Sequence, residues 1–238
     1  MNLMQKHQKK CADCAPTAQP KKVMGTSKQD MKGLGLATEL ERQTKLIQTD
    51  ALLLKSIMSH EQRDKEKALL IPKYESYLDS YLSQEKRHKN PVLVQVMVWA
   101  FDSKQIDLAL NLAKYALDIN DDLPEGYKSN IQEWVLDTLH DYLEEEYKAG
   151  RTSEPYLSDT IQFLVDLDTF DQIKSKFHKL AGHYAYDSEE WQKTVDHYLL
   201  AEKFSSKAQV KTKREHAEKQ LEKLAEANEA KTNEAGAS

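Results

Sequence analysis

Three groups of residues in this chain have types and spacings that could do chemistry. His7, Cys11 and Cys14 form His-x3-Cys-x2-Cys, three zinc-type ligands in a row. A closed structural zinc site needs four ligands placed by a fold, and the chain has no further cysteine. The set reads as two thiols in a polar arm, and no metal ligand is assigned. The densest carboxylates are Asp121-Asp122, Glu144-Glu145-Glu146 and Asp166-Leu-Asp168. Metal-dependent phosphodiester hydrolysis gathers carboxylates from separate segments, whereas acids in a row on an amphipathic helix usually form a solvated face. No catalytic residue is assigned from them. His140, His178, His183 and His197 lie near apolar faces and read as core or boundary side chains rather than bases. No glycine-rich phosphate loop and no His-Glu-x-x-His run occurs, so neither a nucleotide nor any other cofactor is expected.

The third group is basic. Residues 1–36 carry Lys6, Lys9, Lys10, Lys21, Lys22, Lys28 and Lys32 against two aspartates. Residues 203–223 carry seven basic residues, among them Lys207, Lys211, Lys213 and Arg214, against three glutamates. Lysines that reach phosphates displace condensed counterions, which gives sequence-independent affinity for DNA. The net charge is −5, so such a contact must come from a local patch. The arm is the first candidate and the last helix the alternative. Between Asp118 and Asp171, fifteen acids face three bases. That stretch should repel phosphate; it is either a solubilising face or a surface for a basic protein partner.

The elements that must position these residues are helical. Charged residues make up 31% of the chain, with seven glycines among 238 residues and few strand-like runs. Val92–Phe101 is apolar nearly all round and should be buried on most sides. Ile106, Ala109, Leu110, Ala113, Ala116 and Leu117 then follow the spacing of one helical face, with Asp102-Ser103 between as a turn and cap. This is the helix-pair pattern of a tetratricopeptide-like hairpin. Trp191, Thr194, Val195, Tyr198 and Ala201 repeat the same offsets 85 residues on (191 − 106). Two copies at that spacing do not make a solenoid. The expected fold class is all-α: a helical bundle with two tetratricopeptide-like hairpins, a flexible N-terminal arm and a C-terminal tail. The expected divisions are 1–36 (basic arm), 37–84 (helical pair), 85–205 (helical core) and 206–238 (charged helix and tail). Thr38 with Glu41 matches a capping box for the first helix, which then runs on through a charged stretch to Pro72. Trp99, Trp134 and Trp191 are read as core. Met1–Lys10 lacks the apolar run of a secretory signal, and Val92–Phe101 is too short to cross a bilayer. A cytosolic protein is expected.

The run VLVQVMVWAFDSKQIDLALNLAKYAL resembles the small terminase subunit of temperate tailed phages, the GpM type. So do LLLKSIMS through LLIPKYESYL, and FHKLAGHYAYDSEEWQKTVDHYLLAEKF. The resemblance covers roughly Glu39–Phe204 and rests on order and pattern rather than on a catalytic signature. It implies a protein that forms a homo-oligomeric ring in the host cytoplasm. It further implies binding to viral double-stranded DNA at the packaging site and presentation of that DNA to a large terminase subunit holding the motor ATPase. Proteins of this type are also described as the endonuclease subunit, so the resemblance leaves the enzyme question open. Two readings stand beside it: a helical adaptor that binds protein and never DNA, and a true DNA endonuclease. The resemblance also implies a long basic C-terminal tail, but this chain ends in NEAKTNEAGAS, which departs from that pattern.

Overall fold

The computed structural model describes residues 28–85 and 87–235, with side chains described over 38–85, 87–165 and 167–228. Among the described residues there are helices and no strands. In chain order they are α1 (Lys28–Lys55), α2 (His60–Leu70), α3 (Pro72–Leu82), α4 (Pro91–Asp102), α5 (Ile106–Asp118), α6 (Ile131–Lys148), α7 (Tyr156–Asp166), α8 (Asp171–Asp187), α9 (Trp191–Phe204) and α10 (Lys211–Ala235). The chain divides into two compact units between Arg42 and Gln43, inside α1. In the first, Glu39 accepts hydrogen bonds from Nε and Nη2 of Arg42, at 2.9 and 2.7 Å. The second holds everything from Gln43 onward.

The second unit is built on α4. Nine of its residues, Val92–Val94 and Val96–Phe101, are buried, as the all-round apolar pattern requires. Its N-terminus carries a polar pin. Fully buried Asn90 accepts from the Val92 and Leu93 amides at 3.1 and 3.3 Å, capping the helix. The Nδ2 of Asn90 donates to Tyr77 at 3.1 Å, and its backbone N–H donates to buried Asp121 at 2.7 Å. Trp99 meets Tyr74 edge-on at 6.1 Å, and Phe101 meets Trp134 at 5.5 Å. One apolar cluster runs from Ile47 to Ala181, joining α1–α3 to α4–α8 across residue 84. A second, smaller cluster of Tyr198, Ala201, Ala208 and Val210 joins α9 to the loop before α10.

The two hairpins share a turn. Lys104 at φ 60° and Glu189 at φ 57° occupy equivalent positions in Asp102-Ser103-Lys104-Gln105 and Asp187-Ser188-Glu189-Glu190. Gln105 N–H donates to the Ala100 carbonyl at 2.8 Å, and Glu190 N–H donates to that of Ala185 at 2.9 Å. Both are Schellman endings, with a left-handed residue closing the helix. Asp121 and Arg151 make the same bond to Ala116 and Glu146, after Asn120 and Gly150. Ser103 does not cap α5: its hydroxyl donates backward to the Trp99 carbonyl at 2.8 Å. Leu110 is half-buried, and Leu112 takes the buried place on α5. The likeness of these pairs to tetratricopeptide hairpins rests on sequence spacing alone.

Other boundaries differ from the sequence reading. α1 starts at Lys28, ahead of Thr38, and contains Gly33 and Gly35. Glycine lowers helix propensity but keeps its N–H, so it need not break the ladder. α1 stops at Lys55, and α2 is a new helix capped by Ser59, which accepts from Gln62 N–H at 3.3 Å. α10 continues to Ala235, through most of the expected tail. Trp99 is core, whereas Trp134 and Trp191 are half-buried at the rim. No helix among the described residues is long and apolar enough to cross a membrane.

Candidate nucleic-acid interface

Where the charges are paired decides which of them are available. The acidic stretch is neutralised by cations drawn from across the fold. Glu144 pairs with Lys148 at 2.8 Å, Glu145 with Lys104 at 2.6 Å and Glu146 with Arg151 at 2.6 Å. Asp137 pairs with Lys176 at 2.8 Å, Asp122 with Lys89 at 2.7 Å and Asp118 with Arg87 at 3.5 Å. Asp121 is spent on the Asn90 and Asp122 amides. The sequence count of fifteen to three therefore overstates the bare negative field of this face. No group of three or more His, Cys, Asp or Glu among the described residues could hold a metal ion.

The last three helices carry nearly equal numbers of acidic and basic residues, but several lysines there and in the loop between α9 and α10 stand apart from the acids. Lys174, Lys179, Lys203, Lys207, Lys213 and Lys219 make no ion pair among the described residues. Of the alternative DNA-contact residues, Lys207 is exposed in the loop between α9 and α10. Lys211 lies 3.7 Å from Glu215. The Nζ of Lys213 sits 5.0 Å from the Tyr186 ring centroid. Arg214 is held between Glu202, at 2.9 Å, and Glu218, so it ties α10 to α9. Of the arm residues, Lys6, Lys9, Lys10, Lys21 and Lys22 lie outside the described residues, as do His7, Cys11 and Cys14. Lys28 and Lys32 lie on the first turns of α1.

Two aromatic centres organise α8–α10; the sequence marked Trp191, His178 and His197 only as core or boundary side chains. At one, Tyr186, Trp191 and His216 cluster within 5.8 Å of one another, with Lys213 over Tyr186. At the other, Lys174 and Lys203 each place Nζ 5.8 Å from the Phe204 centroid. His178 stacks on Phe204 at 5.8 Å, its plane tilted by 11°. Its Nδ1 lies 3.2 Å from Nδ1 of His197. Burial, and then the neighbouring His197, pushes His178 down to about 4. Burial also lowers His197. Both imidazoles are neutral near pH 7, and one N–H can donate to the other ring. The sequence signal for this centre was the (i, i+4) pair Lys174–His178, which puts both on one helical face. The partners come from another helix, so spacing alone could not join them.

Between α6 and α8 a cavity of about 270 Å³ is lined by His140, Asp141, Glu144, Lys176, Lys179, Leu180 and His183. Its two carboxylates and two ammonium groups leave no net charge to select a ligand. Burial keeps His140 below its usual range, and its Nδ1 stands 3.6 Å from Asp141, beyond hydrogen-bonding distance.

The phage small terminase subunit family model matches residues 44–172, just over half of the chain. The "Terminase, endonuclease subunit" of Escherichia phage P2 is 24% identical over 197 residues, covering 82% of this chain and 80% of that protein. The "Probable terminase, endonuclease subunit" of Haemophilus phage HP1 is 29% identical over 102 residues. That stretch covers 43% of this chain and spans 36% of the HP1 protein. No solved structure matches. A family match over the helices from α1 to the start of α8, together with the phage relatives, places this all-α chain in the phage small terminase subunit family.

Proposed function

We propose that this protein binds viral double-stranded DNA at the packaging site and presents it to the large terminase subunit for cutting and packaging. The observation that carries the reading is the sorting of charge. Cations in the middle of the chain are mostly paired, while unpaired lysines gather on α8–α10 and the N-terminal lysines add a second basic segment. The protein acts in the host cytoplasm as a homo-oligomeric ring. Exposed apolar residues support self-association: Leu52, Leu53 and Leu69 on α1 and α2 with Met58 in the turn between them, and Phe163, Val165 and Phe170 around α7–α8. In a ring, several weak contacts act together and avidity raises the total affinity. Native mass measurement with and without packaging-site DNA tests the reading; a chain that binds no duplex at low salt overturns it.

The relatives' names favour a second reading, in which this chain itself cuts DNA. Many carboxylates of the acidic stretch are paired with lysines and arginines, and no three His, Cys, Asp or Glu among the described residues gather as a metal site, so the purified chain is expected to show no ATPase and little nuclease activity. Magnesium-dependent cutting that is lost in Asp168→Ala would establish the second reading.

A further inference from the structure

Lys174 of α8 and Lys203 of α9 bring their ammonium groups to one aromatic ring, each 5.8 Å from the Phe204 centroid. Neither lysine has an ion-pair partner among the described residues, and Glu202, the acid beside Lys203 in the chain, is taken by Arg214. A third cation, exposed Lys207, follows three residues after Phe204. The stack behind the ring, His178 and then His197, carries no negative charge. The two ammonium groups are thus left open to an anion from outside the chain. Lysine is a point charge that reads no bases, and it lacks the guanidinium fork that selects a carboxylate. A phosphodiester of the duplex backbone fits that chemistry.

We propose that Lys174 and Lys203, gathered at Phe204 and backed by the His178–His197 pair, contact a backbone phosphate of duplex DNA, and that filling this contact draws a proton onto the histidine pair. The inference rests on the DNA-binding reading above and adds the site and its coupling to pH. A phosphate held at the ring that stacks on His178 favours the charged form of either half-buried neutral imidazole. Few other charges act on the pair: Asp196 raises and Lys193 lowers His197, and His197 lowers His178. α6 and α7 also pack on α8, and α10 packs on α9; no titratable group of these helices is among the charges that act on the pair. Because binding then takes up protons, affinity rises as pH falls, and by linkage DNA raises the proton affinity of the pair.

The test uses the full chain and a labelled duplex of random sequence. Lys174→Gln/Lys203→Gln should weaken binding roughly tenfold or more at low salt and reduce the salt slope by about two per protomer. Lys114→Gln/Lys128→Gln removes two exposed, unpaired cations elsewhere and controls for net charge; it should change binding little. His197→Gln should remove most of the affinity gain that the wild type shows on going from about pH 7.5 to about pH 5.5. Melting curves in the same buffers show that each variant is folded. If the lysine double variant matches the wild type, or loses no more than the control pair, the site is overturned while DNA binding stands. If His197→Gln keeps the full pH gain, the proton coupling is overturned. If the wild type binds no duplex at all, the function and this inference fall together.

Discussion

Asp50 shows how much one buried charge can hold. It is 5% exposed and accepts hydrogen bonds from Tyr74 Oη and from Lys73 Nζ, the latter at 2.6 Å. Burial and the Asp50 carboxylate keep the Tyr74 phenol protonated far above its ordinary range. Asp50→Ala leaves that phenol buried without an acceptor and should cost about 2–4 kcal/mol in denaturant unfolding. Asp50→Asn keeps an acceptor oxygen and should cost visibly less. The histidines set a pH limit. His178 and His183 are both pushed down to about 4 by burial, so the folded state favours their neutral forms. The resulting stability is fully present above the unfolded value of about 6.5 and is lost as pH falls toward about 4. The melting temperature should therefore drop across that window, and His183→Gln should flatten the drop. From their place beside apolar runs these histidines read as core or boundary residues, and both are half-buried. The His178–His197 contact was not legible, because it joins residues 19 apart on facing helices.

At the scale of elements, α8 and α9 approach closely because Gly182 has no side chain. A Cβ there would lie 2.5 Å from the Tyr198 ring, and Tyr198 is fully buried. Gly182→Ala must push the helices apart and should destabilise the protein by about 1–3 kcal/mol. The shared hairpin turn makes a contrasting prediction. Glu189 is exposed and carries a side chain at φ 57°, a conformation that disfavours any residue but glycine. Glu189→Gly should raise stability by about 1 kcal/mol, and Gly150→Ala, at φ 69°, should lower it by about 1–2 kcal/mol. The hairpins were legible because small and apolar residues recur at three-and-four spacing on α5 and α9. The helix ends were not. Ser59 begins a new helix within a charged run whose periodicity continues unbroken, and the left-handed closing residues Lys104 and Glu189 have no compositional mark.

At the scale of the whole molecule, the exposed apolar residues and the sorted charges give two expectations about assembly and DNA. Native mass spectrometry at micromolar concentration should show a homo-oligomer larger than a dimer, because Met58 at 91% exposed, Leu69 at 73% and Val165 at 73% gain by leaving water. A monomer would overturn this. Deleting Met1–Lys32 should weaken binding to all DNA and flatten the salt slope, with little change in preference for the packaging site. Unchanged binding at every salt concentration would move the whole contact to α8–α10, where the unpaired lysines lie.

Sequence alone determined the helical class, the burial of Val92–Phe101 and the equivalence of the two hairpins. Periodicity and apolar content are local properties, written within one or two helical turns. It also carried the family resemblance, since order and pattern persist over most of the chain. Only the tertiary structure decided which charges are free. Glu145 is matched by Lys104 and Asp137 by Lys176, pairings 41 and 39 residues apart that no count along the chain can show. It likewise brought Lys174, His178, His197, Lys203 and Phe204 to one corner, because α9 doubles back on α8 and packs two distant faces together.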